Sequence, residues 1–323
     1  MPRTPRTILI TGAAGFVGSR LADRFAADFP EAILIGADLS APAWTEGPTR
    51  RTVALDITDE SAVRDCFRVH RPDCVVHLAA QSHVPTSYQK PVLTWQVNVI
   101  GTMQLLEAAR AEAPGGLFIF ISSSEVYGRE FNAGRPVTEL SHFAPMNPYA
   151  SSKAAADALV RDAASEDLHT LVLRPFNHVG PGQRQDFVVS AFSSQIARIE
   201  HGLQDPILHV GNLDAQRDFL DVRDVLDAYV RVVHRGHDHP GGTVWNLCTG
   251  RPVTIQSVLD DLLALSPADI EVRIDPDRLR PSEVPVALGD ASAARADLGW
   301  RPSTPWSKTL AGVLHYWREY SRP

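Results

Sequence analysis

Tyr149 and Lys153 stand four residues apart in the run Tyr-Ala-Ser-Ser-Lys, directly after Asn147-Pro148. On a helix, positions four apart share one face, about 6 Å apart along the axis. A free phenol titrates near pH 10, so bringing it toward neutrality takes about 4 kcal/mol of differential stabilisation. One ammonium about 4 Å away supplies that order at an effective dielectric near 20. The pair therefore has the makings of a proton donor working near pH 7. Taken alone, the spacing equally describes an ordinary helix surface. A second cluster, Ser122-Ser123-Ser124-Glu125-Val126-Tyr127-Gly128, follows an apolar run. A serine at the end of a strand there can hydrogen-bond a carbonyl oxygen, or simply close a turn.

A third cluster binds rather than reacts. The apolar run ILIT leads into Gly12-Ala-Ala-Gly15-Phe16-Val17-Gly18, and an amphipathic pattern follows. Glycines spaced by three permit a tight turn, close backbone approach to a pyrophosphate, and close packing of helix on strand. The new helix offers free N–H groups and its positive dipole end to phosphate. Asp38 ends the next apolar run, twenty residues past Gly18, where a ribose-binding acid belongs. Its carboxylate accepts from both ribose hydroxyls and repels a 2′-phosphate, so NAD(H) is expected over NADP(H). The same residue also suits a helix N-cap or turn. Asp56 and Ile57, and then Leu78, Ala79 and Ala80, follow the third and fourth apolar runs and are further expected cofactor contacts. Ala79 and Ala80 equally suit tight packing. An oxidised nicotinamide beside Tyr149 would add to the effect of Lys153.

Elements must hold these clusters together. Short runs rich in Val, Ile or Leu occur at Thr7–Thr11, Ile33–Ala37, Thr52–Leu55, Cys74–Leu78, Leu117–Ser122, Thr170–Arg174 and Thr243–Leu247. Such runs fit strands buried on both faces. Helical periods lie between them, as in Val17, Leu21, Phe25 and Phe29. The alternation predicts an α/β fold, a Rossmann doubly wound parallel sheet of about seven strands. A smaller C-terminal lobe is expected over its carboxyl edge, because 175–186, 200–221 and 266–290 are irregular and rich in Pro, Asp, Gly or Arg. The expected division is 1–174 with 212–250 for the NAD-binding Rossmann domain, and 175–211 with 251–323 for the substrate lobe.

Composition narrows the field. With 323 residues, 44% hydrophobic and 21% charged, the chain is an ordinary globular one, neither fibrous nor disordered. Its 38 acidic against 31 basic residues give a net charge of −7, which argues against a broad nucleic-acid footprint. Cys66, Cys74 and Cys248 are too few and too scattered for a disulfide framework or zinc site and read as reduced packing residues of a cytoplasmic protein. His237-Asp238-His239 resembles a metal cluster in residue type only; its Gly and Pro neighbours predict a solvated loop, and no metal is expected. No apolar run reaches membrane-spanning length. The basic and then apolar opening MPRTPRTILITGAAGFVG is read as the first strand and glycine loop rather than a leader.

Together TGAAGFVG, Asp38, HLAAQSHV at 77–84, SSSEVYG at 122–128, Tyr149 with Lys153, and RDFLDVRDV at 217–225 resemble the extended short-chain dehydrogenases/reductases that act on nucleotide sugars. The likeness spans nearly the whole chain. It implies Ser123, Tyr149 and Lys153 as the catalytic set. In the second half, RPFNHVGPGQ at 174–183, FVVSAFSSQIARIEHG at 187–202, GNLDAQRDF at 211–219 and RLRPSEVP at 278–285 resemble GDP-4-keto-6-deoxy-D-mannose reductases. GD at 289–290 and LGW at 298–300 extend the likeness. That resemblance implies Asn177 and Arg217 on the sugar diphosphate, Arg280 on phosphate and Glu283 on the nucleoside ribose; Val188 is a further candidate to frame the guanine. Each arginine also suits a surface ion pair.

Glu125 points another way. It resembles the acid/base glutamate of nucleotide-sugar 4,6-dehydratases, whose chemistry needs a base at carbon 5 and an acid at the departing oxygen. Ketone reduction needs neither. Against a dehydratase, Phe16-Val17 stand where those glycine loops carry Gln-Asp, and Asp38 opposes the NADP that they favour. The expected activity is therefore reduction of a GDP-4-keto-6-deoxyhexose to GDP-D-rhamnose or its 4-epimer GDP-6-deoxy-D-talose. GDP-mannose 4,6-dehydratase and nucleotide-sugar 4-epimerase activities are the alternatives. The resemblance also implies a homodimer joined through a four-helix bundle of helices near 91–112 and 148–166. Val92, Val99, Met103 and Leu106 face either the partner or the core.

Overall fold

The computed structural model describes residues 4–44, 47–278 and 284–322, without the side chain of Asp277. Seven parallel strands make the main sheet: β1 (Thr7–Thr11), β2 (Ile33–Asp38), β3 (Arg50–Ala54), β4 (Cys74–His77), β5 (Gly116–Ile121), β6 (Leu168–Pro175) and β10 (Thr243–Leu247). Their order is β10-β6-β5-β4-β1-β2-β3, the doubly wound arrangement with one strand added beyond β6. The apolar runs form strands because both faces of the sheet are covered. Ile8, Ile10, Ile119 and Ile121 pack on one face with Leu21 and Phe25 of α1 (Phe16–Asp28). On the other, Leu9, Phe118 and Phe120 pack with Val63 and Phe67 of α2 (Glu60–His70).

A short α3 (Val84–Gln89) leads into the helix expected at 91–112. That helix is real but not uniform: α4 (Pro91–Trp95) passes through one wide π turn at Gln96–Ile100 into α5 (Gly101–Glu112). The helix expected to start at Pro148 is α6 (Pro148–Asp162). A π turn shifts the face that follows it, and this one turns Val99 and Leu106 inward while Val92 and Met103 stay at the surface.

The remaining strands build two small sheets beside the main one. β7 (Asn177–Val179), β11 (Pro252–Thr254) and β13 (Val286–Ala287) all pair with β9 (Gln216–Asp221), and β8 (Ile207–Val210) pairs with β12 (Glu271–Ile274). A third core joins them to α7 (Val188–Glu200), α9 (Ile255–Leu263) and α11 (Trp306–Tyr320). The chain crosses between the two bodies more often than the expected division allows. β9 belongs to a small sheet, whereas α8 (Val222–Arg235) and α10 (Ser292–Leu298) pack against the main one, with Leu298 and Trp300 in the core of Trp245.

Candidate active site

All main-sheet strands point one way, so their carboxyl ends share an edge, and the chain diverges there between β1 and β4. The glycine loop sits at that divergence. Gly12 has φ +72°, and a Cβ on it would stand 2.7 Å from the Ala79 nitrogen, so the loop and the 78–80 segment touch. A Cβ on Gly18 would run into the Gly12 carbonyl and lie 2.8 Å from Ala13 Cα. No side chain caps α1 at Gly15, which leaves its first N–H groups to an anion. This cradle fits a pyrophosphate. Asp38 closes over it: Oδ2 accepts from the Ala14 N–H at 3.0 Å and Oδ1 from the Leu39 N–H at 2.8 Å, with lone pairs left for hydroxyls. Asp56 is exposed at the same edge, where its Oδ1 accepts from the Thr58 N–H at 2.9 Å. Ile57 turns its side chain into the core against Gly101, so only its backbone faces the edge.

Ser123 follows β5 by two residues at this edge and caps a tight helical run over Ser124–Ala133, its Oγ accepting from the Glu125 N–H at 3.2 Å. Opposite it, Asn147 caps α6 by accepting from the Ala150 N–H at 2.7 Å, and Pro148 fits the first helical position. That start places Tyr149 in the first turn, facing Ser123, with which it shares a side-chain hydrogen bond. Asn147 Nδ2 also donates to Glu125 Oε2 at 3.4 Å.

One turn further on, Lys153 is buried. Its Nζ donates to the Ile121 carbonyl oxygen and stands 4.1 Å from the centroid of the Phe120 ring. Burial pulls this ammonium down to about 7, against the opposing pull of Asp157. Tyr149 moves the other way from expectation. Burial, with a smaller push from Glu125, raises the phenol to about 12, and the Ser123 bond only partly offsets it. The physical reason is that desolvation disfavours phenolate, while the ammonium of Lys153 is held on a carbonyl and a ring. The folded chain by itself thus stores Tyr149 as a firm proton holder.

On the lobe side, Arg217 of β9 donates to the carbonyl oxygens of Gln216 at 2.7 Å and Val284 at 3.0 Å. Burial lowers its pKa and Glu125 raises it, so the two side chains share one field. The structure therefore gathers Ser123, Glu125, Tyr149 and Arg217, with Lys153 behind them. Asn177 opens β7 and is exposed, and Val188 opens α7 half-buried against the third core. Arg280 and Glu283 lie outside the described residues. The loop after β7 is fastened to the glycine-loop helix. The Phe16 ring stacks on His178 with centroids 6.2 Å apart, and Arg20 lies over Phe16 and donates to the Pro181 carbonyl.

Sequence reasoning missed two supports. Asn98, in the π turn, clamps Gln81 from both sides: its Oδ1 accepts from the Gln81 N–H at 2.8 Å and its Nδ2 donates to the Gln81 carbonyl at 3.0 Å. The same Nδ2 donates to Ser152 Oγ at 2.9 Å. The visible signal was an asparagine between valines in an otherwise apolar stretch. The second support is Arg174, fully buried in β6, which donates to both oxygens of Asp157 on α6 at 2.9 and 2.8 Å. Near the far end of the sheet, His237 packs on His169 and His239 on Trp245. Among the described residues no group of three His, Cys, Asp or Glu could hold a metal ion.

The sequence model of a family described as GDP-mannose 4,6 dehydratase matches residues 9–312. The GDP-6-deoxy-D-mannose reductase of Pseudomonas aeruginosa is 37% identical over 316 residues, covering 98% of both chains. The human dTDP-D-glucose 4,6-dehydratase is 29% identical over 328 residues, 97% of this chain and 90% of that one. Among solved structures, RMD from Pseudomonas aeruginosa complexed with NADPH superposes with a TM-score of 0.84 at 35% identity, over 98% of this chain and 99% of that one. The Thermus thermophilus UDP-glucose 4-epimerase complex with NAD gives 0.82 at 27% identity, over 97% and 99%.

Proposed function

The chain belongs to the GDP-mannose 4,6 dehydratase family within the extended short-chain dehydrogenases/reductases, and from that premise we propose that it reduces the 4-keto group of GDP-4-dehydro-6-deoxy-D-mannose. It is an NAD(P)-dependent oxidoreductase. One observation carries the reading: Ser123, Tyr149 and Lys153 meet at the edge that also carries the glycine cradle.

When bound, the nicotinamide cofactor supplies the hydride. Gly12, Gly15, Phe16, Val17 and Gly18 receive its pyrophosphate, Asp38 its adenosine ribose, and Asp56, Ile57, Leu78, Ala79 and Ala80 line its path. Ser123 donates its hydroxyl hydrogen to the carbon-4 carbonyl oxygen and draws charge onto it. Tyr149 then gives its phenolic proton to the forming alkoxide. Lys153 holds the nicotinamide ribose and steadies the phenolate left behind. Carbon 4 gains one hydride and its oxygen one proton, which balances ketone to alcohol. Asn177, Arg217 and Arg280 hold the diphosphate, Glu283 the nucleoside ribose, and Val188 flanks the base. The product is GDP-D-rhamnose, or GDP-6-deoxy-D-talose if the ketone presents its other face.

We assign NAD(H) as the preferred cofactor, because the Asp38 carboxylate stands over the cradle where a 2′-phosphate would meet its charge. The Pseudomonas aeruginosa structure holds NADPH, so this preference separates the two proteins if it stands. We also assign the protein to the cytoplasm as a homodimer joined through α4, α5 and α6. Val92 is 69% exposed and Trp95 42%, an apolar strip suited to a second copy.

Glu125 supports a second reading, redox-neutral dehydration of GDP-mannose, because its exposed carboxylate shares the site with Tyr149. Following NADH absorbance with the GDP-4-keto sugar and, separately, with GDP-mannose decides between them. Stoichiometric NADH loss with the ketone supports reduction, and turnover of GDP-mannose without net loss supports dehydration. Tyr149→Phe should abolish most turnover and still bind NADH, and unchanged turnover rejects Tyr149 as the acid. NADPH giving the better specificity constant in the same assay rejects the NAD(H) preference.

A further inference from the structure

His77 ends β4 directly behind the site, 1% exposed, and no step above uses it. Its ring joins three segments. Nδ1 lies 2.7 Å from Thr11 Oγ1, on the last residue of β1 before the glycine loop. Nε2 lies 2.9 Å from Thr102 Oγ1 on α5. The neighbours fix which nitrogen carries the proton. Thr102 Oγ1 donates its own hydrogen to the Asn98 carbonyl at 2.8 Å, so it accepts from Nε2–H. Thr11 Oγ1 accepts from the Ala79 N–H at 3.3 Å and donates its hydrogen to Nδ1. In this arrangement each ring nitrogen has one partner, and a second proton on the imidazole would turn Thr11 Oγ1 from donor to acceptor and force its hydrogen away from the ring.

The chain does not stop at Thr102. Asn98, whose carbonyl receives that hydroxyl, clamps Gln81 and donates to Ser152, and Ser152 Oγ donates to the Tyr149 carbonyl at 2.7 Å. An unbroken path of hydrogen bonds thus runs from the glycine cradle to the first turn of α6. The ring also packs edge-on to Phe118 at 5.9 Å and tilted to Phe120 at 5.6 Å, and Phe120 is the ring over which Lys153 sits. Burial and the Lys153 charge hold the imidazole neutral, down to about 3, as the hydrogen-bond pattern requires.

We propose that His77 is a positioning residue: its doubly bonded imidazole sets the glycine cradle, the Asn98 clamp and the seat of Lys153 at fixed distances from one another. This rests on the reductase reading for its kinetic consequence, but not for its effect on cofactor binding. His77→Phe keeps an aromatic ring and removes both hydrogen bonds, Thr102→Val removes at nearly equal volume the hydroxyl that links Nε2 to the Asn98 carbonyl, and His77→Gln restores a polar end. In His77→Phe and Thr102→Val, kcat should fall about tenfold or more and the NADH Kd, read by nicotinamide fluorescence, should rise severalfold, because small misplacements of reacting groups are this expensive. KM for the nucleotide sugar should stay within about twofold, since the proposed diphosphate contacts Asn177 and Arg217 lie on β7 and β9, outside this network. His77→Gln should recover part of the loss. The effects of His77→Phe and Thr102→Val should not add, because both break the same bond.

Unchanged kcat and NADH affinity in Thr102→Val overturn the proposal, even if His77→Phe fails to fold. So do losses that track the urea midpoint alone and spare neither ligand. A wild-type protein inactive on the 4-keto sugar defeats the reductase reading, and NADH affinity then still decides the role of His77.

Discussion

Burial brings the charge of Lys153 within reach of neutral pH. Its ammonium, depressed to about 7, is complete only below that value. The kcat/KM for NADH, which reports the free protein, should therefore fall as pH rises through about 7. Lys153→Arg, whose charge persists to far higher pH, should retain residual turnover without that limb. A flat profile in the wild type would remove Lys153 from this role. Stability follows the same linkage. Between about 7 and the ordinary lysine range the unfolded chain binds the extra proton, so stability should rise with pH across that window. Tyr149, Lys153 and Ser123 were legible in the sequence because four-residue spacing and the end of an apolar run dictate their placement. The direction of the Tyr149 shift was not legible. It depends on how much water the fold removes, and spacing alone carries no information about burial.

At the scale of elements, α6 is fixed at its start and again in its second half. Asn147 caps its start, and deeper in, Asp157 meets Arg174 with both side chains at 0% exposure. Arg174 also donates to the Tyr127 hydroxyl at 2.9 Å and so ties in the segment that carries Ser123. Asp157→Ala should lower unfolding free energy in urea by about 3–5 kcal/mol, because it strands a buried guanidinium. The paired change Asp157→Leu with Arg174→Met should lose much less, and equal losses in both would mean the helix is held by packing alone. The seven main strands were legible to within about two residues, since double-sided burial writes continuous apolar runs. The small sheets were not. β7, β11 and β13 are two or three residues long, too short for any period to show. The π turn also escaped: it shifts the buried face between Val92 and Leu106, but five residues are too few for that shift to show as a change of period.

For the whole molecule, the proposed dimer turns on the strip from Val92 to Met103. Trp95→Lys places a charge in the middle of it and should yield a monomer by light scattering at micromolar concentration, with the far-ultraviolet spectrum retained. A wild-type monomer under the same conditions would remove the dimer. The change of rhythm after Arg174 led to an expected division that crosses back at 212–250, but the later return of α10 to the main core was not part of it. Ser292–Leu298 returns to the main core through tertiary packing that no local pattern announces, whereas Val222–Arg235 falls within the 212–250 stretch expected there.

The edge strand β10 has a consequence for how the protein is made. β6 leaves the sheet at Pro175, and the strand that covers its outer flank is not synthesised until Thr243–Leu247. A nascent chain therefore emerges from the ribosome with Leu171, Val172 and Leu173 on an open ladder while the whole intervening segment is translated. Throughout that interval the outer flank of β6 has no strand to pair with, and a chain stopped short of Thr243 should aggregate where the full chain does not, as sedimentation of the two would show.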